Sequence, residues 1–190
     1  LVSIDMTVWS ATKQDRQVSD EITTAKHADK SAGRYVKNLL ANDPAHRAIA
    51  NYRQTVYNWM KSHTLDWSAK MQCLPAIELP KFMAGYKHHE AEFWRLVTEF
   101  VNKYPTIVSN MAFMQGDMFD ASDYPNVADL RNKFGITLYT SEIPEGDYRV
   151  QVSQDLADDL HNNYTQQANR LIDSMRTEQK DKLKQIKATD

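Results

Sequence analysis

The chain has 190 residues and a mass of 21.9 kDa, with 42% hydrophobic and 25% charged residues, enough for one globular domain with a real core. A formal net charge of −2 gives no reason for general nucleic-acid affinity, and no apolar run approaches the roughly 20 residues of a membrane-spanning helix. The lone cysteine, Cys73, excludes an internal disulfide framework and fits a reducing compartment, the cytosol by default.

Charge is unevenly spread. Residues 1–103 carry 14 Lys and Arg against 11 Asp and Glu, and residues 104–190 carry 9 against 14. That asymmetry is able to orient head-to-tail self-association. No secretory signal pattern is visible, and the start at Leu1 suggests that the native N-terminus precedes it.

In chain order, Val2, Ile4, Met6 and Val8 alternate with Ser3, Asp5 and Thr7, which predicts a strand with one face on the core. Residues 10–18 read as a polar loop. Ser19 is the expected N-cap of a helix to about Ser31, with Asp20 and Glu21 at its positive end. Gly33 interrupts it, and Tyr35 to Leu40 continue as a short second helix. Asp43-Pro44 signals another start, a capping carboxylate before proline at the first helical position. That helix runs to about His63, with Ile49, Tyr52, Val56, Trp59 and Met60 inward. Residues 64–78 show no clear period and read as a loop that packs onto the core.

The spine is the stretch from Leu79 to Tyr104. Leu79, Phe82, Tyr86, His89, Phe93, Val97, Phe100 and Tyr104 follow at steps of three and four, one apolar stripe along a long helix. Pro105 is expected to stop it. A shorter helix over 107–114 ends at Gly116, and Asp123-Tyr124-Pro125 opens another with Val127, Leu130 and Phe134 inward. Alternation over 134–138 and 148–152, around the turn residues 144–147, predicts a hairpin. It joins the N-terminal strand in a small sheet, since a lone hairpin is marginal in water. A last helix runs from Gln154 to about Lys187. The fold expected is α+β, mainly α, with a long central amphipathic helix. Residues 1–175 form a single domain and 176–190 a charged helix end or tail.

Chemistry is sparse. His88 and His89 are adjacent, about 100° apart on a helix, and fail the spacing of a zinc-binding pair; His89 reads as a hydrogen-bonded core residue. Asp155, Asp158 and Asp159 near His161 suit a helix N-terminus without any ion. Asp117, Asp120 and Asp123 recur every third residue but lack the glycine and terminal glutamate of a calcium loop. Cys73 reads as a buried thiol, and no phosphate-binding glycine loop occurs. The expectation is a non-enzyme with no cofactor and no metal. The basic series Lys26, Lys30, Arg34 and Lys37 keeps to one side if its helix continues past Gly33. With Arg47, Arg53 and Lys61 on the next helix, and Tyr35, Tyr52 and Tyr57 interleaved, it is the candidate nucleic-acid surface. The ordinary alternative is a solvated helix face.

A set of motifs adds context: Leu79-Pro80, Glu92-Phe93, Phe100, Tyr104-Pro105, Gly116-Asp117-Met118-Phe119, Asp123-Tyr124-Pro125, Leu130-Arg131 with Lys133-Phe134, and Ile143-Pro144 through Val150. With the strand into Val8-Trp9-Ser10, their order resembles a family of uncharacterised proteins encoded by bacteriophages and mobile elements. Where that family usually has a basic stretch after Trp-Ser, this chain reads Ala11-Thr12-Lys13-Gln14. The resemblance implies an accessory role in phage or plasmid DNA transactions, in the host cytoplasm. Two expectations follow. One is an oligomeric binding protein acting on single-stranded DNA or with a partner ATPase; the other is a virion or assembly component with protein contacts alone.

Overall fold

A computed structural model describes residues 1–143, 162–163, 165–170, 172–173 and 177. In chain order it contains β1 (Val2–Thr7), β2 (Thr12–Asp15), α1 (Arg16–Ala25), β3 (Tyr35–Asn38) and α2 (Pro44–His63). Then come β4 (Leu65–Asp66), β5 (Gln72–Cys73), α3 (Leu79–Gln115), α4 (Val127–Leu130) and β6 (Gly135–Thr140). One sheet has the order β4-β5-β1-β6, and β2 and β3 form a separate ribbon. The protein is therefore mainly helical α+β, with a long central helix and a small sheet that includes the N-terminal strand. The described residues of the C-terminal helix, from 162 on, are helical. The turn and return strand expected at 144–152, the acids at 155–159 with His161, and the tail from 178 lie outside the described residues.

The chain divides into two compact units. The first holds Leu1–Ile4, Trp59–Phe82 and the described residues from Leu138 on. Its core is Val2, Met60 and Phe82, packed by Ile4, Trp59, Leu74 and Leu138, with the Trp59 and Phe82 rings stacked at 4.8 Å. Val2 pairs antiparallel with Gln72, and Leu65 with Cys73. Leu1 and Ser141 exchange backbone hydrogen bonds at the sheet's far edge.

The second unit holds Asp5–Asn58 and Met83–Thr137. The Asp43-Pro44 signal works as read: Asp43 Oδ1 accepts from the Ala45 and His46 amides at 2.9 and 3.1 Å. Ile49 and Val56 of α2 are buried, as are Phe93, Val97, Phe100 and Tyr104 of α3. Each such side chain contributes about 1.5–3 kcal/mol through removal from water. His46 sits against Trp9, Phe100 and Phe134, with Nε2 2.7 Å from the Trp9 carbonyl.

Several local expectations are corrected. Residues 12–15, expected as loop, are a strand, and the helix after it starts at Arg16. Asp15 caps α1 through the Val18 amide. Ser19 sits inside the helix, its hydroxyl donating to the Asp15 carbonyl and accepting from the Tyr35 amide. The helix ends at Ala25, well before Ser31. Residues 35–38 form β3 instead of a helix, paired antiparallel with β2 at Lys13↔Lys37 and Asp15↔Tyr35. The lysine spacing misled because Lys37 faces inward; at a strand's period of two that position is buried. Residues 64–78 hold β4 and β5, too short to show a period. Residues 123–134 form only one α-turn between 3₁₀ turns, with Leu130 and Phe134 buried but Val127 46% exposed.

Pro105 does not end the spine. A proline inside a helix costs about 3 kcal/mol through its lost hydrogen bond and ring clash. Beyond it, Ile107 and Met111 continue the stripe of Phe100 and Tyr104 at steps of three and four, and both are buried. Two such side chains offset the proline. The helix ends where expected, at Gly116, whose φ of +53° is the left-handed conformation glycine adopts freely.

Candidate nucleic-acid interface

Of the cations singled out from the sequence, Lys26, Lys30, Arg34 and Lys37 do not share one helix. Lys26 is the C-terminal cap of α1, and Lys30 lies in the following loop, 3.2 Å from Asp20 in an exposed ion pair. Arg34 is exposed at the entry to β3. Lys37 is withdrawn altogether. Its Nζ lies 2.7 Å from Asp123 Oδ2 and 3.2 Å from Asp15 Oδ2, and donates to the Met118 carbonyl at 2.9 Å. The Oδ2 contact with Asp123 is an ion pair. The Lys37 ammonium is therefore occupied and is removed from the candidate surface.

Arg47 and Arg53 stand out. Both lie exposed on α2, and neither guanidinium has a partner among the described residues. The sequence of α2, PAHRAIANYRQTVYNWMKSH, has no Asp or Glu anywhere. Its described solvent face around Arg53 reads Asn51, Gln54, Thr55, Tyr57 and Asn58, neutral or cationic throughout. Tyr57 is one turn beyond Arg53 and 47% exposed, an aromatic ring beside a cation. Lys61 is engaged by Asp66. Tyr52 is turned inward: its hydroxyl is 2.7 Å from His89 Nδ1, so His89 is a hydrogen-bonded, half-buried residue as expected. Burial, with the nearby Glu92 charge, raises the Tyr52 pKa.

Sequence reasoning missed a groove of about 960 Å³ beside the β2–β3 ribbon. Residues 13 to 18 line one side and Asp117 to Asp120 with Asp123 another. Asp123 sits at its base, its side chain 2% exposed, held by Lys37 and by a hydrogen bond from Lys13. Burial pushes the Asp123 pKa up, but the two ammonium groups outweigh it and the net direction is down. Asp15 is lowered mainly by the Val18 amide, with Lys37 assisting. Lys37 is raised, chiefly by Asp123. The loop beyond α3 is fixed further by Gln115 Nε2 on the Asn38 carbonyl at 3.2 Å and by Tyr104, whose hydroxyl donates to the Pro125 carbonyl at 3.1 Å. Burial pushes the Tyr104 pKa up to about 12. Asp117, Asp120 and Asp123 do converge on this groove, but Asp123 is committed to ammonium groups. The lone thiol, Cys73, is buried, and burial raises its pKa, which removes it from nucleophilic duty.

No family model, curated protein or solved structure matches this chain.

Proposed function

We propose a non-enzymatic accessory protein of bacteriophage or mobile-element origin that assembles as an oligomer and binds single-stranded DNA, or an ATPase working on it. The observation that carries this reading is the carboxylate-free α2, with Arg47 and Arg53 exposed on it. On a helix whose own carboxylates would neutralise its cations, phosphates compete poorly; α2 has none. Arg47 and Arg53 offer phosphate contacts. Lys26 and Arg34 are exposed cations of the same unit.

Anisotropy of a fluorescent oligothymidine across a salt series tests it. Affinity should fall with salt, and Arg47→Ala with Arg53→Ala should flatten the log–log slope by about 1.4, since each single-strand phosphate that an arginine neutralises adds about 0.7. Salt-independent or absent binding sinks the DNA reading. The virion or assembly alternative has its own support: Phe113 is 89% and Met114 69% exposed at the end of α3, side chains suited to protein contact.

A further inference from the structure

We propose that the dimple between the start of α2 and the middle of α3 is a self-assembly socket, filled by Phe113 of a second copy. The proposal rests on the oligomer named above and gives its contact; it does not depend on DNA binding. The socket has a volume of about 180 Å³ and is lined by Pro44, Ala45 and Ala48 of α2 and by Leu96, Glu99 and Lys103 of α3. Ala45, Ala48 and Leu96 are half-buried, so solvent reaches its floor. Glu99 and Lys103 are tied to each other at 2.7 Å, which leaves their aliphatic stems as walls. Space of that size accepts one aromatic ring, since an apolar cavity of about 150 Å³ takes up benzene.

The same unit carries the plug. Phe113 is 89% and Met114 69% exposed, and from Tyr104 to Gly116 the chain has no charged residue. An aromatic ring beside a methionine in an uncharged setting is the composition of an interface centre. A copy cannot fill its own socket, because Phe113 lies about 15–25 Å beyond Lys103 and Leu96 along α3, at 1.5 Å per residue. The ring that enters therefore belongs to another copy. Charge favours this pairing. Beyond Phe113 the next charged side chain is Asp117, without a partner among the described residues, and the end of α3 is the negative pole of its dipole. At the socket, the unpaired Arg47 stands one turn past Pro44 on α2. The socket also belongs to residues 1–103, where cations are in surplus, and the plug to residues 104–190, where carboxylates are. A plug and a socket at different places on one surface make a heterologous contact, which closes into rings or runs on as filaments.

Sedimentation velocity of the full-length protein tests this. Wild type should sediment as an oligomer. Phe113→Ser, which removes the plug from an exposed site, should give monomer, and so should Ala48→Phe, which fills the socket from within. Equimolar mixing of the two variants should give a one-to-one dimer, because each keeps the half of the contact that the other lacks. Neither misfolding nor a general loss of surface hydrophobicity would restore a contact on mixing. Ala48→Leu fills the socket with a smaller side chain and takes the place of Ala48→Phe in the mixture if circular dichroism shows the larger one to disturb the fold. Oligothymidine binding by monomeric Phe113→Ser reports separately on the α2 site. An oligomer that survives Phe113→Ser, or a mixture that stays monomeric, overturns the socket and leaves the oligomer standing; a wild type that is monomeric throughout overturns both.

Discussion

Two charge networks of the same composition, two cations and two carboxylates, sit in opposite surroundings. In one, Lys13, Lys37, Asp15 and Asp123 meet at the base of the groove, where the Lys37 and Asp123 side chains are 8% and 2% exposed. In the other, Arg95 pairs with Glu92 and Glu99, and Glu99 with Lys103, along the solvent face of α3. The exposed set joins residues three and four apart on one helix, so it organises nothing that the helix has not already placed. The buried set joins β2, β3 and the turn at 121–123, segments with no covalent reason to meet. Burial makes Lys37, Asp15 and Asp123 dependent on one another, because an ion left alone there loses its water without replacement. Location decides which of two similar networks specifies structure.

Removal of an apolar side chain sets the upper end of the scale. Phe93 is fully buried on α3, and Phe93→Ala should cost about 3–5 kcal/mol in urea denaturation. A loss below about 1 kcal/mol would mean that the stripe is a contact surface.

Asp123→Ala should come next, at about 3 kcal/mol, the low end for a broken buried pair, since the groove keeps water near. It leaves the buried Lys37 with Asp15 as its one remaining carboxylate. If it costs no more than a surface change, burial is not what separates the two networks.

The same carboxylates set an acid limit. Asp123 and Asp15 have folded-state pKa values below their ordinary 3.8. Their contribution is therefore complete above that value and fades as pH falls through the lower, folded ones. Lys37 acts at the other end: its raised pKa contributes below its ordinary 10.5 and is lost above it. Stability should drop below about pH 4 in wild type, and less steeply in Asp123→Ala. Parallel acid profiles would place the acid-sensitive groups elsewhere.

The smallest effect belongs to α3. Glu99→Gln removes the shared carboxylate of the exposed set and should leave the denaturation midpoint within experimental error, as exposed pairs generally do. A clear loss would erase the distinction between the networks.

Sequence by itself determined what local chemistry and long periods can carry. Asp43-Pro44 set the start of α2, because a carboxylate and a fixed φ act within three residues. The stripe from Phe82 to Tyr104 and the alternation from Val2 to Val8 were legible, since each repeats often enough to rise above chance. The exposed cations Arg47 and Arg53 were legible as well. Tertiary structure decided the rest. Pro105 reads as a stop until Ile107 and Met111 are seen to find the same core. Lys37 reads as one of four cations on a helix until Asp15 and Asp123, the latter 86 residues away by number, arrive to hold it in a strand. β4 and β5, at two residues each, have no period at all and exist through their pairing. Each of these rests on partners distant in the chain, and a lysine's spacing carries no record of the carboxylate that will bury it.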